Sequence, residues 1–192
     1  MIFRLKEGVL SLVCVSILVG CAGRLPRVEA LNTPKERVCR VALIPFKNET
    51  SNPVISRVFY RILLSKLVTE AKLDVVEEGA VRSFMMYEYI LPGSSFNLDM
   101  LRLLRRRTGV QAVIGGRILE ATEGKNVKLS FFMWVRDTKT GRVLWSVYHS
   151  RTGEDYQKIL HFGKISMLSR LADRMLDEVI RRLKQKGFKG CY

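Results

Sequence analysis

The sequence predicts an α/β fold: a single domain with a mixed β-sheet of about five strands, packed with about four helices. Three observations carry this. A buried-strand run at residues 40–46, a helical period over 53–71 and a second short strand at 73–77 make a βαβ unit. Further on, an alternating segment at 127–136 and a β-rich run at 142–149 flank a turn containing Gly141, which makes a C-terminal β-hairpin. The chain then closes on an apolar stripe with the 3.6-residue period of one long helix.

Taken in order, Val41, Ala42, Leu43 and Ile44 form an apolar run ended by Pro45 and by Lys47-Asn48-Glu49-Thr50, the pattern of a buried strand entering a loop. Ile55, Val58, Phe59, Ile62, Leu63 and Leu67 then recur at helical spacing and leave Arg57, Arg61 and Lys66 for the solvent side. Leu73 to Glu77 is the second strand, and residues 78–89 the second helix. Pro92, Gly93, Ser94 and Ser95 mark a loop at 91–97; Asn97 can cap a helix over 98–107, and Gly109 stops it. Residues 111–120 read as the third strand, with Gly115-Gly116 marking a bulge or a close backbone approach. In the hairpin, Val127, Leu129, Phe131, Met133 and Val135 alternate with Lys128, Ser130, Phe132, Trp134 and Arg136, and Asp137 is a turn residue. Ile165, Leu168, Leu171, Ala172, Met175, Leu176, Val179 and Leu183 trace the last helix.

A chain of 192 residues fits one compact domain, and 47% hydrophobic with 27% charged residues is a globular composition, neither disordered nor wholly membranous. Charge is the unusual quantity. Thirty-three Lys and Arg against eighteen Asp and Glu give +15, a surplus that points to a polyanionic partner.

The compartment decides which polyanion. Arg4 and Lys6 open the chain, Val9 to Val19 is apolar but for Ser11 and Ser16, and Leu18-Val19-Gly20-Cys21 follows. That run is well short of the ~20 residues a permanent membrane-spanning helix needs, so it reads as a signal peptide. Leu18-Val19-Gly20-Cys21-Ala22 resembles the bacterial lipobox, which implies acylation of Cys21 and cleavage before it. The expected organisation is a leader at 1–20, a lipidated Cys with a short linker at 21–38, and an α/β periplasmic domain at 39–192. Cleavage removes Arg4, Lys6 and Glu7 and leaves the mature chain at +14. An exported protein meets no chromosomal DNA or cytoplasmic RNA, so nucleic acid is excluded; anionic lipid, cell-wall polymer or an acidic protein remain. Ala22 stands where an inner-membrane retention signal would be Asp, which favours the periplasmic face of the cell outer membrane over the inner membrane. Cys14 leaves with the leader and Cys21 carries lipid. Cys39 and Cys191 therefore remain as a candidate disulfide in an oxidising compartment.

The segments Val41 to Thr50, Leu73 to Glu77, Thr108 to Gly116 and Asp137 to Trp145, in this order behind a lipobox, resemble the CsgG/LpoB/TolB-N group of bacterial envelope proteins. The similarity covers most of residues 39–183. It implies a mixed sheet with helices packed on it, acting by protein contact instead of chemistry. Two departures stand out: the linker is far shorter than the tether of the peptidoglycan-crossing activators in the group, and no pair of amphipathic segments matches the membrane hairpins of the curli-type channel.

Candidate sites are few. Arg102, Arg105, Arg106 and Arg107 crowd one helix end, where they could grip phosphate or an acidic partner through forked hydrogen bonds; a solvated helix end is the plainer alternative. Phe132 and Trp134, with Leu144 and Tyr148, fall on the less apolar hairpin face, to be covered by a partner or by the protein's own helices. His149 and His161 lack clustered ligands, so no metal site is expected, and no cofactor. Without paired carboxylates, an activated nucleophile or a metal, the expectation is a binding or assembly factor, with an envelope protein as partner and homo-oligomers open. The alternatives are a cell-envelope hydrolase and a subunit of an oligomeric curli-type secretion channel.

Overall fold

The computed structural model describes residues 27–29, 37–91, 94, 96–158, 162–188 and 190; of 27–29 it describes the backbone. The leader, Cys21, His161, Lys189 and Cys191 lie outside the described residues.

The elements run β1 (Arg27–Glu29), β2 (Arg40–Leu43), β3 (Lys47–Asn48), α1 (Ile55–Thr69), β4 (Asp74–Val75), α2 (Glu78–Tyr87), α3 (Leu98–Thr108), β5 (Ala112–Thr122), β6 (Lys128–Asp137), β7 (Val143–Thr152), a 3-10 turn (Gly153–Tyr156) and α4 (Leu168–Gln185). The strands form one mixed sheet in the order β1-β7-β6-β5-β2-β4, with β3 also on β5. β2 lies parallel to β4 and to β5, as the βαβ unit requires, and β5, β6, β7 and β1 are successively antiparallel.

The sheet is covered on both faces, and this explains β2, whose apolar residues run without alternation. On one face α1 and α4 pack Phe59, Leu63, Met175 and Val179 against Leu43, Phe131, Met133 and Trp145. Phe59 sits between Phe46 and Phe131 at ring distances of 5.0 and 4.7 Å. On the other face α2 and α3 bring Phe84, Leu101 and Leu104 onto Ala42, Ile44 and Val113, with Trp134 packed alongside. Gly115 and Gly116 are a close approach. A β-carbon at Gly115 would lie 2.7 Å from both Ile44 and Trp134, and one at Gly116 would collide with the Phe132 carbonyl.

Two short strands were not in the sequence pattern. β3 is a two-residue extension beyond Pro45. β1 falls inside 22–38, the stretch read as linker: it pairs Arg27 with Tyr148 and Glu29 with Ser146 along the free edge of β7. Three residues carry no period, so only the waiting hydrogen-bonding edge makes them a strand.

Candidate functional site

The arginine cluster is built by α3. Asn97 Oδ1 accepts the Met100 amide at 2.8 Å and caps the helix, Leu101 and Leu104 are its buried face, and Gly109 ends it in the left-handed conformation, φ 74°. With that face fixed, Arg102, Arg106 and Arg107 are exposed and Arg105 is half-buried. Arg102 stands near the middle of α3, and Arg105, Arg106 and Arg107 are in its last turn, where exposed carbonyls favour positive charge. Arg102 Nε donates to the Lys139 carbonyl at 3.2 Å and Arg105 Nη1 to Thr138 Oγ1 at 3.4 Å, so two of them rest on the hairpin turn. That turn is held by Asp137, whose Oδ1 accepts the amides of Lys139 and Thr140 at 2.9 and 2.6 Å. Arg106 makes no ion pair among the described residues.

A neighbouring feature was missed in the sequence. Met86, Tyr87, Tyr89 and Leu91 are all exposed, Tyr89 to 93%. Val81, Phe84 and Met85 are the buried stripe of α2, so Met86 and Tyr87 fall off it. Tyr89 then takes φ 54°, a sparsely populated conformation for a bulky residue, and Ile90 returns to the core. The off-stripe position of Met86 and Tyr87 was the available signal. Arg107 joins this patch to the arginines: its Nη2 lies 3.0 Å from Glu88 Oε1 and its guanidinium 5.6 Å from the Phe84 ring centroid. Arg107 thus stands beside the uncovered residues after α2, whereas Arg102 and Arg105 rest on the hairpin turn.

Phe132 and Trp134 do not belong to it. Trp134 is half-buried on the α2–α3 face, with the Arg136 guanidinium 5.8 Å from its ring, so the protein covers it itself. Phe132 is half-buried between Arg117 and Tyr148 in the strand register. It stands six residues along β6 and its turn from Thr138, ~20 Å at the usual strand rise.

A buried polar network was also missed. His149, 2% exposed on β7, has Nε2 2.8 Å from Glu178 Oε2 of α4. The Tyr156 hydroxyl donates to Glu178 Oε1 at 2.9 Å, and Arg151 Nη2 lies 3.5 Å from Oε2. Burial pushes the Glu178 carboxyl up, but the hydrogen bonds from His149 and Tyr156 outweigh it and hold the group below its ordinary value. Burial, with the Glu178 charge, raises the Tyr156 phenol. No sequence motif could reveal the pairing, because His149 and Glu178 are 29 residues apart on different elements. The network lies half-buried between β7 and α4, so it ties the helix to the sheet. Lys66 does the same between α1 and α4: it meets Asp177, Asp173 at 2.9 Å and Glu70 at 3.2 Å. Burial alone would lower the Lys66 ammonium, and these carboxylates raise it instead.

Among the described residues no group of three His, Cys, Asp or Glu could hold a metal, and no helix is long and apolar enough to cross a membrane. Cys39 takes part in a disulfide. Nearby, the Gly190 amide donates to the Ala71 carbonyl at 2.8 Å and the Gly190 carbonyl accepts from Arg37 Nη2 at 2.5 Å.

No family model matches the sequence, and no curated protein matches it. Solved structures do resemble the fold. The PelC dodecamer from Paraburkholderia phytofirmans aligns with a TM-score of 0.56 at 16% identity, over 88% of this chain and 100% of that one. Lipoprotein GNA1162 from Neisseria meningitidis aligns at 0.51 and 15%, over 77% and 99%. The LpoB C-terminal domain from Salmonella enterica gives 0.47 at 15%, over 71% and 91%, a value too low to argue from. At these identities the likeness shows a shared fold.

Proposed function

We propose that this chain is a lipid-anchored envelope protein that binds an acidic partner through the arginines of α3 and the uncovered residues after α2. The observation that carries this is the contact of Arg107 with Glu88 and Phe84, which sets an exposed arginine of α3 beside the exposed Met86, Tyr87, Tyr89 and Leu91. Arginine and aromatic side chains are what strong protein contacts are enriched in, and a contiguous exposed apolar patch marks interaction more often than chance. Non-catalytic action is supported by the enclosure of the only histidine among the described residues in a structural network.

The anchor is Cys21, whose thiol takes the lipid and before which the leader is then cut, and Ala22, standing where an inner-membrane retention signal would be Asp, favours the periplasmic face of the outer membrane. The lipoprotein description of GNA1162 supports the anchor, at the level of fold. Cys191 is the partner of the Cys39 disulfide, supported by the position of Gly190 one residue before it. A homo-oligomer is the second reading, favoured by the full-length match to a PelC subunit solved as a dodecamer.

Crosslinking in living cells followed by mass spectrometry identifies the partner, and two variants test the surface. Replacing Arg102, Arg106 and Arg107 by Gln, or Tyr87 and Tyr89 by Ser, should each weaken capture while thermal melting changes little, since exposed side chains contribute little to stability. Raised salt should weaken the wild-type complex in the same sense. An unaltered crosslinking profile in both variants would refute the assignment. A profile consisting of this chain alone, with a ring in size-exclusion chromatography, would establish the homo-oligomer.

A further inference from the structure

The strand that follows the proposed anchor and the proposed partner surface can be placed relative to the two ends of the sheet. β1 runs antiparallel to β7, Arg27 opposite Tyr148 and Glu29 opposite Ser146, so Arg27 is the end of β1 nearer to Thr152. Only six residues separate Arg27 from Cys21, a reach of ~20 Å at full extension, whereas the end of β7 is four residues beyond Tyr148, ~13 Å away. A lipid on Cys21 is therefore within reach of that end.

The same end carries its own apolar side chains. Phe162 is 75% exposed, and Met167 and Val54, just before α4 and α1, are more than half exposed. Val54 and Met167 line one groove beside Glu123 and Gly124 of the β5–β6 turn. Phe162 belongs to the segment after the 3-10 turn, where its carbonyl accepts the Lys158 amide at 2.7 Å and Ile165 is held to Gly153, which is held in turn to Val127. Arg57, Lys125 and Lys158 are exposed here. Three carboxylates also stand at this end: Glu154 is ion-paired with Lys164, while Glu123 and Asp155 accept hydrogen bonds from the Asn52 side chain and the Thr152 amide and keep their charge.

We propose that this end seats directly on the anionic lipid surface that holds the anchor. Phe162, Met167 and Val54 enter the head-group boundary, and Arg57, Lys125 and Lys158 contact lipid phosphates. Apolar side chains ringed by exposed cations are the composition of such an interfacial contact. The α3 arginines, at the opposite end of β5 and β6, then face away from the protein's own membrane. Their acidic partner is reached across the aqueous space instead of being the lipid below. The proposal rests on acylation of Cys21.

The test uses the full-length acylated protein in vesicles of phosphatidylethanolamine and phosphatidylglycerol. An environment-sensitive fluorophore is attached at Phe162→Cys, at Met167→Cys or, as the far-end control, at Arg106→Cys. Flotation reports the anchor, and quenching by acyl-chain spin-labelled lipid reports seating. The expected result is flotation of all three, with a several-fold rise in emission and strong quenching at 162 and 167 and neither at 106. Flotation with aqueous probes at 162 and 167, or with quenching at 106, overturns the seating and leaves the anchor standing. Loss of flotation together with loss of acylation overturns both. Unchanged melting of each labelled variant shows that the readout comes from folded protein.

Discussion

Glu178 joins three side chains from two other segments of the chain, so its removal has a defined cost. In Glu178→Gln the His149, Tyr156 and Arg151 partners lose a charged acceptor in a half-buried site, and stability at neutral pH should fall by about 1–3 kcal/mol. Because the folded-state carboxyl lies below its ordinary value of 4.5, its contribution is complete above that value and disappears as pH falls through it and below. Urea titrations at pH 7 and pH 3 should therefore show a large difference between wild type and variant at the first and a much smaller one at the second. An equal deficit at both would mean that packing, not ionisation, is what Glu178 contributes. At Gly116 the reason for the residue is steric: any β-carbon meets the Phe132 carbonyl across the β5–β6 ladder.

Among the elements, α3 matters most to the proposed interface, and its boundaries rest on two residues. Asn97→Ala removes the side chain that accepts the Met100 amide and should cost about 1 kcal/mol. In a chain of this size that corresponds to a fall in Tm of ~2–4 °C. Fraying at this end also loosens the segment from Phe96, whose carbonyl accepts from Arg136 Nη1 at 2.9 Å. A scanning calorimetry trace unchanged by the substitution would show that the helix is held by Leu101 and Leu104 alone. The arginines at the other end of α3 behave oppositely, contributing to contact and little to folding.

At the scale of the whole molecule, the Cys39 disulfide closes the sheet's basic end. With Cys191 as its partner the bridge encloses residues 39–191, and its reduction should lower stability by about 2–4 kcal/mol. Thermal melts with and without reductant measure this. Two alkylatable thiols in the unreduced exported protein would rule the Cys39–Cys191 pairing out.

All the elements but β1, β3 and the 3-10 turn were legible in the residues. The βαβ start, the Asn97 cap, the Asp137 turn and the long stripe of α4 depend on spacing within twenty residues or fewer, and local periodicity records that directly. The tertiary structure decided the rest. Whether Trp134 is covered, which edge accepts β1, that His149 meets Glu178, and that Arg107 stands beside Tyr87 and Tyr89 all depend on which faces the helices take. Those choices are made by packing between segments distant in sequence, where no period or motif holds a trace of the partner.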